Sequence, residues 1–134
     1  DLTAVLGLLR TSNLPEAGVA EWLHTFQVIQ DDDAVIAAAG FETYDGNALL
    51  RSVVVDPHHR GTGLAGILVR DLLSRAREDG IHAVYLLTTT AEGYFPPFGF
   101  RRITREDVPD SVKQSVEFKE ACPSSATVME LRLR

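Results

Sequence analysis

The sequence predicts an α/β (α+β) fold, a sheet flanked by helices, and three stretches predict it. In the first, the β-branched run Val53-Val54-Val55 stops at Asp56-Pro57 and a basic, glycine-rich turn follows. A long amphipathic stretch from Leu64 to Asp79 then carries Leu64, Leu68 and Leu72 on one face, so the order is strand, turn, helix. In the second, Ala34 to Tyr44 and Ala48 to Val55 form a hairpin joined by Asp45-Gly46-Asn47. In the third, the tail from Thr127 alternates, with Thr127, Met129, Leu131 and Leu133 on one side and Val128, Glu130, Arg132 and Arg134 on the other. That pattern predicts a half-exposed strand.

The remaining elements follow in chain order. Asp1 is a good N-cap for a helix to Ser12, with Leu2, Val5, Leu6, Leu8 and Leu9 as its apolar stripe. Asn13-Leu14-Pro15 breaks that helix, and Pro15 suits the first turn of a second, short one ending near Leu23. Thr25 to Gln30 alternates as a strand, and Asp31-Asp32-Asp33 makes a turn. In the first hairpin arm, Ala37-Ala38-Ala39-Gly40 predicts close approach of a helix or ligand. The long helix stops at Gly80, and His82 to Leu87 reads as a buried strand. Thr89 with Glu92 forms a capping box for a short helix that Pro96 and Pro97 end around Tyr94 or Phe95. Another strand begins at Phe98-Gly99-Phe100-Arg101. A helix from Val112 to about Ala121, capped by Asp110 or Ser111, stops at Pro123.

At 134 residues the chain is expected to be one domain, 1–134, large enough for a real core. Hydrophobic content of 45% and charged content of 24% are those of an ordinary globular protein. A net charge of −6 argues against nucleic acid or an anionic membrane surface as partner. No apolar run approaches a membrane span, no signal peptide is visible, and one cysteine allows no internal disulfide. Together these suit the cytoplasm. The three acids at 31–33 have no further ligands at metal spacing, so no metal is expected. The chain begins at Asp1, so a short upstream segment is expected to be missing.

The turn at 58–63 is where chemistry is expected. Gly61 and Gly63 let the backbone curl close to a bulky group. The first N–H groups of the following helix are unpaired and lie at the positive end of its dipole. Such a turn suits a phosphate or pyrophosphate, and Arg60 adds a positive charge at its rim. Gly61-Thr62-Gly63-Leu64-Ala65-Gly66 matches the dinucleotide fingerprint literally. That fingerprint also wants its first glycine just after the strand and an acid about twenty residues on. Here Asp-Pro-His-His-Arg intervenes and the next strand ends without an acid. Arg60-Gly61-Thr62-Gly63-Leu64-Ala65 instead resembles the acetyl-CoA loop of the GCN5-related N-acetyltransferase (GNAT) superfamily, with His58 where that family usually has Gln or Arg. Phe98-Gly99-Phe100 supports the resemblance, because members often carry Gly-Phe just after a short helix. The element order is similar over essentially the whole chain, apart from the late helix and a missing first strand. Asn47 to Ser52, Tyr85 to Glu92 and Cys122 to Ala126 together resemble the arsenic-resistance N-acetyltransferase group.

The resemblance implies a central mixed, mostly antiparallel sheet splayed into a V, with the pantetheine arm of acetyl-CoA in the split. It implies that backbone groups of Val53, Val54 and Val55 pair with that arm. It also implies that amides of Arg60, Gly61, Thr62, Gly63, Leu64 and Ala65 hold the pyrophosphate. The implied reaction is acetyl transfer to the amino group of a small molecule, and a homodimer is compatible with it. The family's usual tyrosine acid falls at Phe95, next to Tyr94, so Tyr94 is the expected proton donor to the leaving thiolate. An aromatic-Phe pair after a Leu-Thr-Thr run is shared with N-acetylglutamate synthases and suggests an amino-acid-like acceptor. For Glu42 two roles stand open: general base at the end of a strand facing the cleft, or a strand residue that is solvated or pairs with Arg51 across the hairpin. Arg51 and Ser52 are candidates for an acceptor carboxylate, with a surface position as the alternative for Arg51. His82 reads as structural, His58 and His59 as loop residues touching phosphate or solvent, and Cys122 as a small buried residue. Two other functions fit less of the pattern: a coenzyme A-binding or sensing module without catalysis, which Phe95 favours, and a dinucleotide-binding fragment.

Overall fold

The computed structural model describes residues 2–89, 91–115, 118 and 126–133. Its elements are α1 (Leu2–Thr11), α2 (Val19–Trp22), β1 (Gln27–Asp31), β2 (Ala34–Tyr44), β3 (Asn47–Val55), α3 (Leu64–Glu78), β4 (Ala83–Thr88), β5 (Arg101–Ile103), α4 (Asp110–Lys113) and β6 (Thr127–Arg132). The first element among the described residues is a helix, not a strand. The strands form one mixed sheet in the order β1-β2-β3-β4-β6-β5, and only β3 and β4 run parallel.

The hairpin forms because Asp45 and Gly46 both take positive φ, 50° and 82°, giving the twist that a two-residue loop between antiparallel strands needs. Asn47 therefore opens β3, opposite Tyr44, where the sequence had placed it in the turn. On one face of the sheet, α3 buries Leu68, Val69, Leu72, Leu73 and Ala76 against Ala37, Ala39, Phe41, Leu50, Val84, Leu86, Met129 and Leu131. On the other face, α1 packs Val5, Leu8 and Leu9 over Ala38 and Val54, and Tyr85 and Val128 join Val108 and Val112. Gly40 has no side chain because the ring of Phe26 lies there: a Cβ would come within 2.3 Å of two ring carbons. The close approach expected at 37–40 is thus made by helices and a phenylalanine.

Four expectations are corrected. β6 is buried on both faces from Val128 to Leu131, because it lies between β4 and β5 rather than at an edge. The second helix shortens to α2 and is followed by a 3-10 turn at Leu23–Thr25. The capping box at Thr89 does not form. Thr88 Oγ1 instead accepts from the Ala91 N–H at 2.9 Å, and Glu92 bonds Arg102 and Thr127. A single turn before two prolines is too short to nucleate a helix, so only turns and the 3-10 segment Pro96–Phe98 remain. The late helix begins two residues early, at Asp110, and is a single turn to Lys113. The rest of its expected span lies mostly outside the described residues, as do the Asp1 cap, Cys122 and Arg134.

Candidate active site

β3 and β4 pair only at Asn47–Ala83, Ala48–Val84 and Leu49–Tyr85, and beyond those three pairs they diverge. β3 continues to Val55 paired on its β2 side alone, with Ala37 opposite Val55 and Ala38 opposite Val54. β4 continues to Thr88 paired on its β6 side alone. A sheet split in this way exposes backbone N–H and C=O groups along both inner edges. Such groups are costly to leave dry and are ready to pair with an extended ligand. The split is a cavity of about 870 Å³. Its floor and walls include Val53, Val54 and Val55, its one end Arg60, Gly61, Gly63, Leu64 and Ala65, and its far wall Leu86, Thr88 and Tyr94.

The end formed by α3 is built for an anion. Gly63 caps the helix with φ 83° and has no side chain to satisfy the first amides. The first turn contains no acid, and the first intrahelical acceptor is used by Ile67, which donates to Gly63 O at 3.2 Å. The N–H groups of Leu64, Ala65 and Gly66 are the unpaired donors of this turn, at the positive end of a fifteen-residue dipole. A Cβ on Gly61 or Gly63 would meet nothing within 4 Å, so the space above the turn is open. Thr62 Oγ1 donates to His59 O at 2.6 Å and closes the loop. Arg60 spans the mouth: Nε donates to Val55 O at 3.3 Å and Nη2 to Ser12 Oγ at 2.9 Å. His58 is exposed. His59 sits between Asp31 and Asp56 at 3.6 and 3.7 Å, on the loop's outer side. The His58 backbone N–H holds the Asp56 carboxyl below its ordinary range, which ties the loop's entry.

In its middle, β3 carries a bulge. The register with β2 shifts by one between Ala38–Val54 and Gly40–Arg51, leaving an extra residue at Ser52–Val53 opposite Ala39. Ser52 takes φ 60°, an uncommon conformation for a residue with a side chain. The bulge turns backbone out of the ladder at the deepest part of the split. Sequence periodicity did not reveal it. The signal was the polar pair Arg51-Ser52 interrupting an apolar strand.

Tyr94 lines the cavity, 38% exposed, with its ring against Phe95 and Phe98. Burial raises its pKa, and Arg70 offsets part of that, so the hydroxyl keeps its proton through neutral pH. Phe95 is buried in the α3 core. Its backbone is helical, φ −84° and ψ −26°, and not driven out of that region by Pro96. Both residues line the cavity, Phe95 from within the core and Tyr94 from its more exposed side.

Glu42 is 1% exposed and is not among the cavity-lining residues. One carboxylate oxygen accepts from Arg51 Nη1 at 2.7 Å and the other from the Tyr44 hydroxyl. Of its two candidate roles, the pair with Arg51 is the one formed here. Arg51 is fully buried rather than at the surface. It also donates to Ser52 Oγ, Ala17 O and Pro15 O, so its guanidinium is engaged by the protein itself. His82 is exposed and outside the cavity lining; its backbone N–H donates to Gly46 O and its C=O accepts from Leu133 N–H, both at 2.8 Å. Among the described residues, the cavity lining contains two arginines and no carboxylate. No group of three or more His, Cys, Asp or Glu among them is placed to hold a metal, and no helix among them is long and apolar enough to cross a membrane.

A family model described as "Acetyltransferase (GNAT) family" matches residues 9–100. The amino-acid acetyltransferase of Mannheimia succiniciproducens is 29% identical over 96 residues, 70% of this chain and 22% of the relative. That of Ralstonia nicotianae is 31% identical over 87 residues, 63% of this chain and 19% of the relative. The chain thus spans about a fifth of the length of these curated relatives. Among solved structures, Rv2747 from Mycobacterium tuberculosis, in complex with CoA, aligns with a TM-score of 0.82 at 23% identity, covering 100% of this chain and 95% of that one. N-acetylglutamate synthase from Neisseria gonorrhoeae, complexed with coenzyme A and N-acetyl-glutamate, aligns with a TM-score of 0.81 at 16% identity. That match covers 99% of this chain and 32% of the synthase.

Proposed function

The chain belongs to the acetyltransferase (GNAT) family, and from that membership we propose that residues 1–134 form one catalytic domain transferring acetyl from acetyl-CoA to the amino group of an amino-acid-like small molecule. The observation that carries the reading is the split between β3 and β4, with the uncapped N-terminus of α3 at one end. An extended pantetheine chain pairs with the open edge of Val53, Val54 and Val55. The pyrophosphate sits on the amides from Arg60 to Ala65, where helix dipole and free donors coincide. Arg60 exchanges its Ser12 partner for phosphate. In this reading the thioester lies beside the bulge at Ser52–Val53, where backbone freed from the ladder polarises the carbonyl.

The amine attacks the thioester carbonyl, a tetrahedral intermediate forms and collapses, and the C–S bond breaks. Tyr94 donates its proton to the departing thiolate. With both oxygens of Glu42 engaged, the amine's proton leaves through water. A cleft with no described carboxylate in its lining suits an acceptor bearing its own carboxylate better than a polycation. The names of the Mannheimia, Ralstonia and Neisseria relatives support the same class. A reaction drawing on acetyl-CoA, in a chain with one cysteine, fits the cytoplasm. The test is a coenzyme titration followed by thiol release across amino acids, polyamines, aminoglycosides and amino-bearing organoarsenicals. Saturable thiol release with amino acids supports the reading. Tight coenzyme binding without thiol release from any amine would replace it with a coenzyme-sensing module.

A further inference from the structure

Arg51 stands out once the cleft is assigned, because it carries a full charge yet has no exposed side-chain surface. Burying an arginine is costly, and the cost is offset only when its donors are met. Its partners come from three separate parts of the chain. Glu42 supplies the counter-charge from β2, at 2.7 Å. Ser52 Oγ, on the bulge of its own strand, accepts from Nε at 2.9 Å. The carbonyls of Pro15 and Ala17 accept from Nη2 at 3.1 Å and Nη1 at 2.5 Å. Gly18 leaves room for the pair: a Cβ there would lie 3.1 Å from Nη1 and 3.6 Å from Glu42 Oε2. Residues 15–18 are therefore wrapped directly over the ion pair. The stretch just before them, Ser12 to Pro15, lines the cavity, as do Thr88, Thr89 and Tyr94.

We propose that Arg51, neutralised by Glu42, is a positioning residue that clamps the 15–18 segment to the β3 bulge and so fixes the acceptor-side wall of the cleft. The proposal rests on reading the cleft as an acetyltransferase site. Its physical basis is the fork of the guanidinium, whose planar donors reach two carbonyls, a carboxylate and a hydroxyl at once. One of those partners belongs to the residue that holds the strained bulge. The clamp joins the two walls between which an amine approaches the thioester.

The test compares the parent with Arg51→Lys and with the uncharged pair Glu42→Gln/Arg51→Met, in which a glutamine still accepts from Tyr44. Backbone hydrogen exchange is read at the amides of Leu14, Val19 and Trp22, which bond the carbonyls of Leu9, Glu16 and Gly18. Both variants are expected to exchange there at least about tenfold faster, with β3 and α3 core amides unchanged. At saturating acetyl-CoA, the KM for the amine is expected to rise by about tenfold or more and kcat to fall, while coenzyme affinity holds. Parent-like exchange at those three amides would overturn the clamp. So would a double variant with parental kcat and acceptor KM, or an equal loss of coenzyme affinity. If the parent itself transfers no acetyl group, the functional reading fails, and the exchange experiment alone decides the clamp.

Discussion

Replacing Gly63 with valine attacks the coenzyme end of the cleft while leaving the core alone. Gly63 has φ 83°, and a Cβ built on it meets no heavy atom within 4 Å. The cost to the free protein is therefore conformational. It is about 1–2 kcal/mol for an L-residue in the left-handed region, and rather more for a β-branched one. Against a domain stability of roughly 5–15 kcal/mol the variant stays folded. On the proposed placement the pyrophosphate occupies that open space, and valine fills it. Phosphate oxygens are then held off the amides of Leu64 and Ala65. Hydrogen bonds to a charged group are worth about 1.5–3 kcal/mol each, so losing two costs about 3–6 kcal/mol. That is a fall in affinity of about 10²–10⁴. Calorimetric titration of acetyl-CoA into parent, Gly63→Ala and Gly63→Val, with thermal unfolding of each, measures both effects. The expected order of affinity is parent, alanine, valine. A folded valine variant with affinity within about threefold of the parent would refute the placement of the pyrophosphate on this turn.

Tyr94→Phe should lower kcat by about a hundredfold or more at saturating coenzyme if the hydroxyl protonates the thiolate. Because the folded pKa of Tyr94 is raised, the parent's kcat should show no alkaline decline from this residue below its ordinary range near about pH 10. An unchanged kcat in Tyr94→Phe would leave the ring as packing. Gly40→Ala should destabilise by about 1–3 kcal/mol, because Phe26 must give way, and a further Phe26→Ala change should recover part of the loss. Additive losses in denaturant unfolding would contradict that contact. Burial pushes the Glu130 carboxyl up, but the Tyr85 hydroxyl and the arginines at 101 and 132 bring it net below its ordinary value, while burial, together with the same contact, pushes Tyr85 up to about 12. A depressed carboxylate contributes stability above its unfolded pKa, near about 4.3, and loses it as pH falls through the folded value. Glu130→Gln should accordingly flatten the acid limb of stability measured by urea unfolding between neutral pH and pH ~3. An acid limb as steep as the parent's would remove Glu130 from the account.

The sequence made legible what depends on neighbours along the chain. β2 runs from Ala34 to Tyr44 and α3 starts at Leu64, as the hairpin and helix patterns imply, because period and turn chemistry are local. The split was legible only through the resemblance of the glycine loop to a family, since divergence of β3 from β4 is set by what packs between them. Partners far apart in sequence were the least legible. Phe26 over Gly40 left no trace beyond a small residue in a strand. The insertion of β6 between β4 and β5 buried a face that alternation alone assigned to solvent. Glu42 kept two readings because a carboxylate on a strand looks alike as a base and as a counter-ion. The hairpin register, with Glu42 opposite Leu49 and Gly40 opposite Arg51, brings the arginine within its reach. The capping box failed for a related reason, since Glu92 had a better partner in Arg102, ten positions on.

The most direct measurement of the central claim is thiol release from acetyl-CoA by the parent protein, with an amino acid as acceptor and the acetylated product identified by mass. The split sheet with an anion-binding helix end predicts saturable turnover in both substrates, with a one-to-one yield of free thiol and N-acetylated product. No turnover above spontaneous coenzyme hydrolysis with any amine, in a protein that is folded and binds acetyl-CoA, would contradict it.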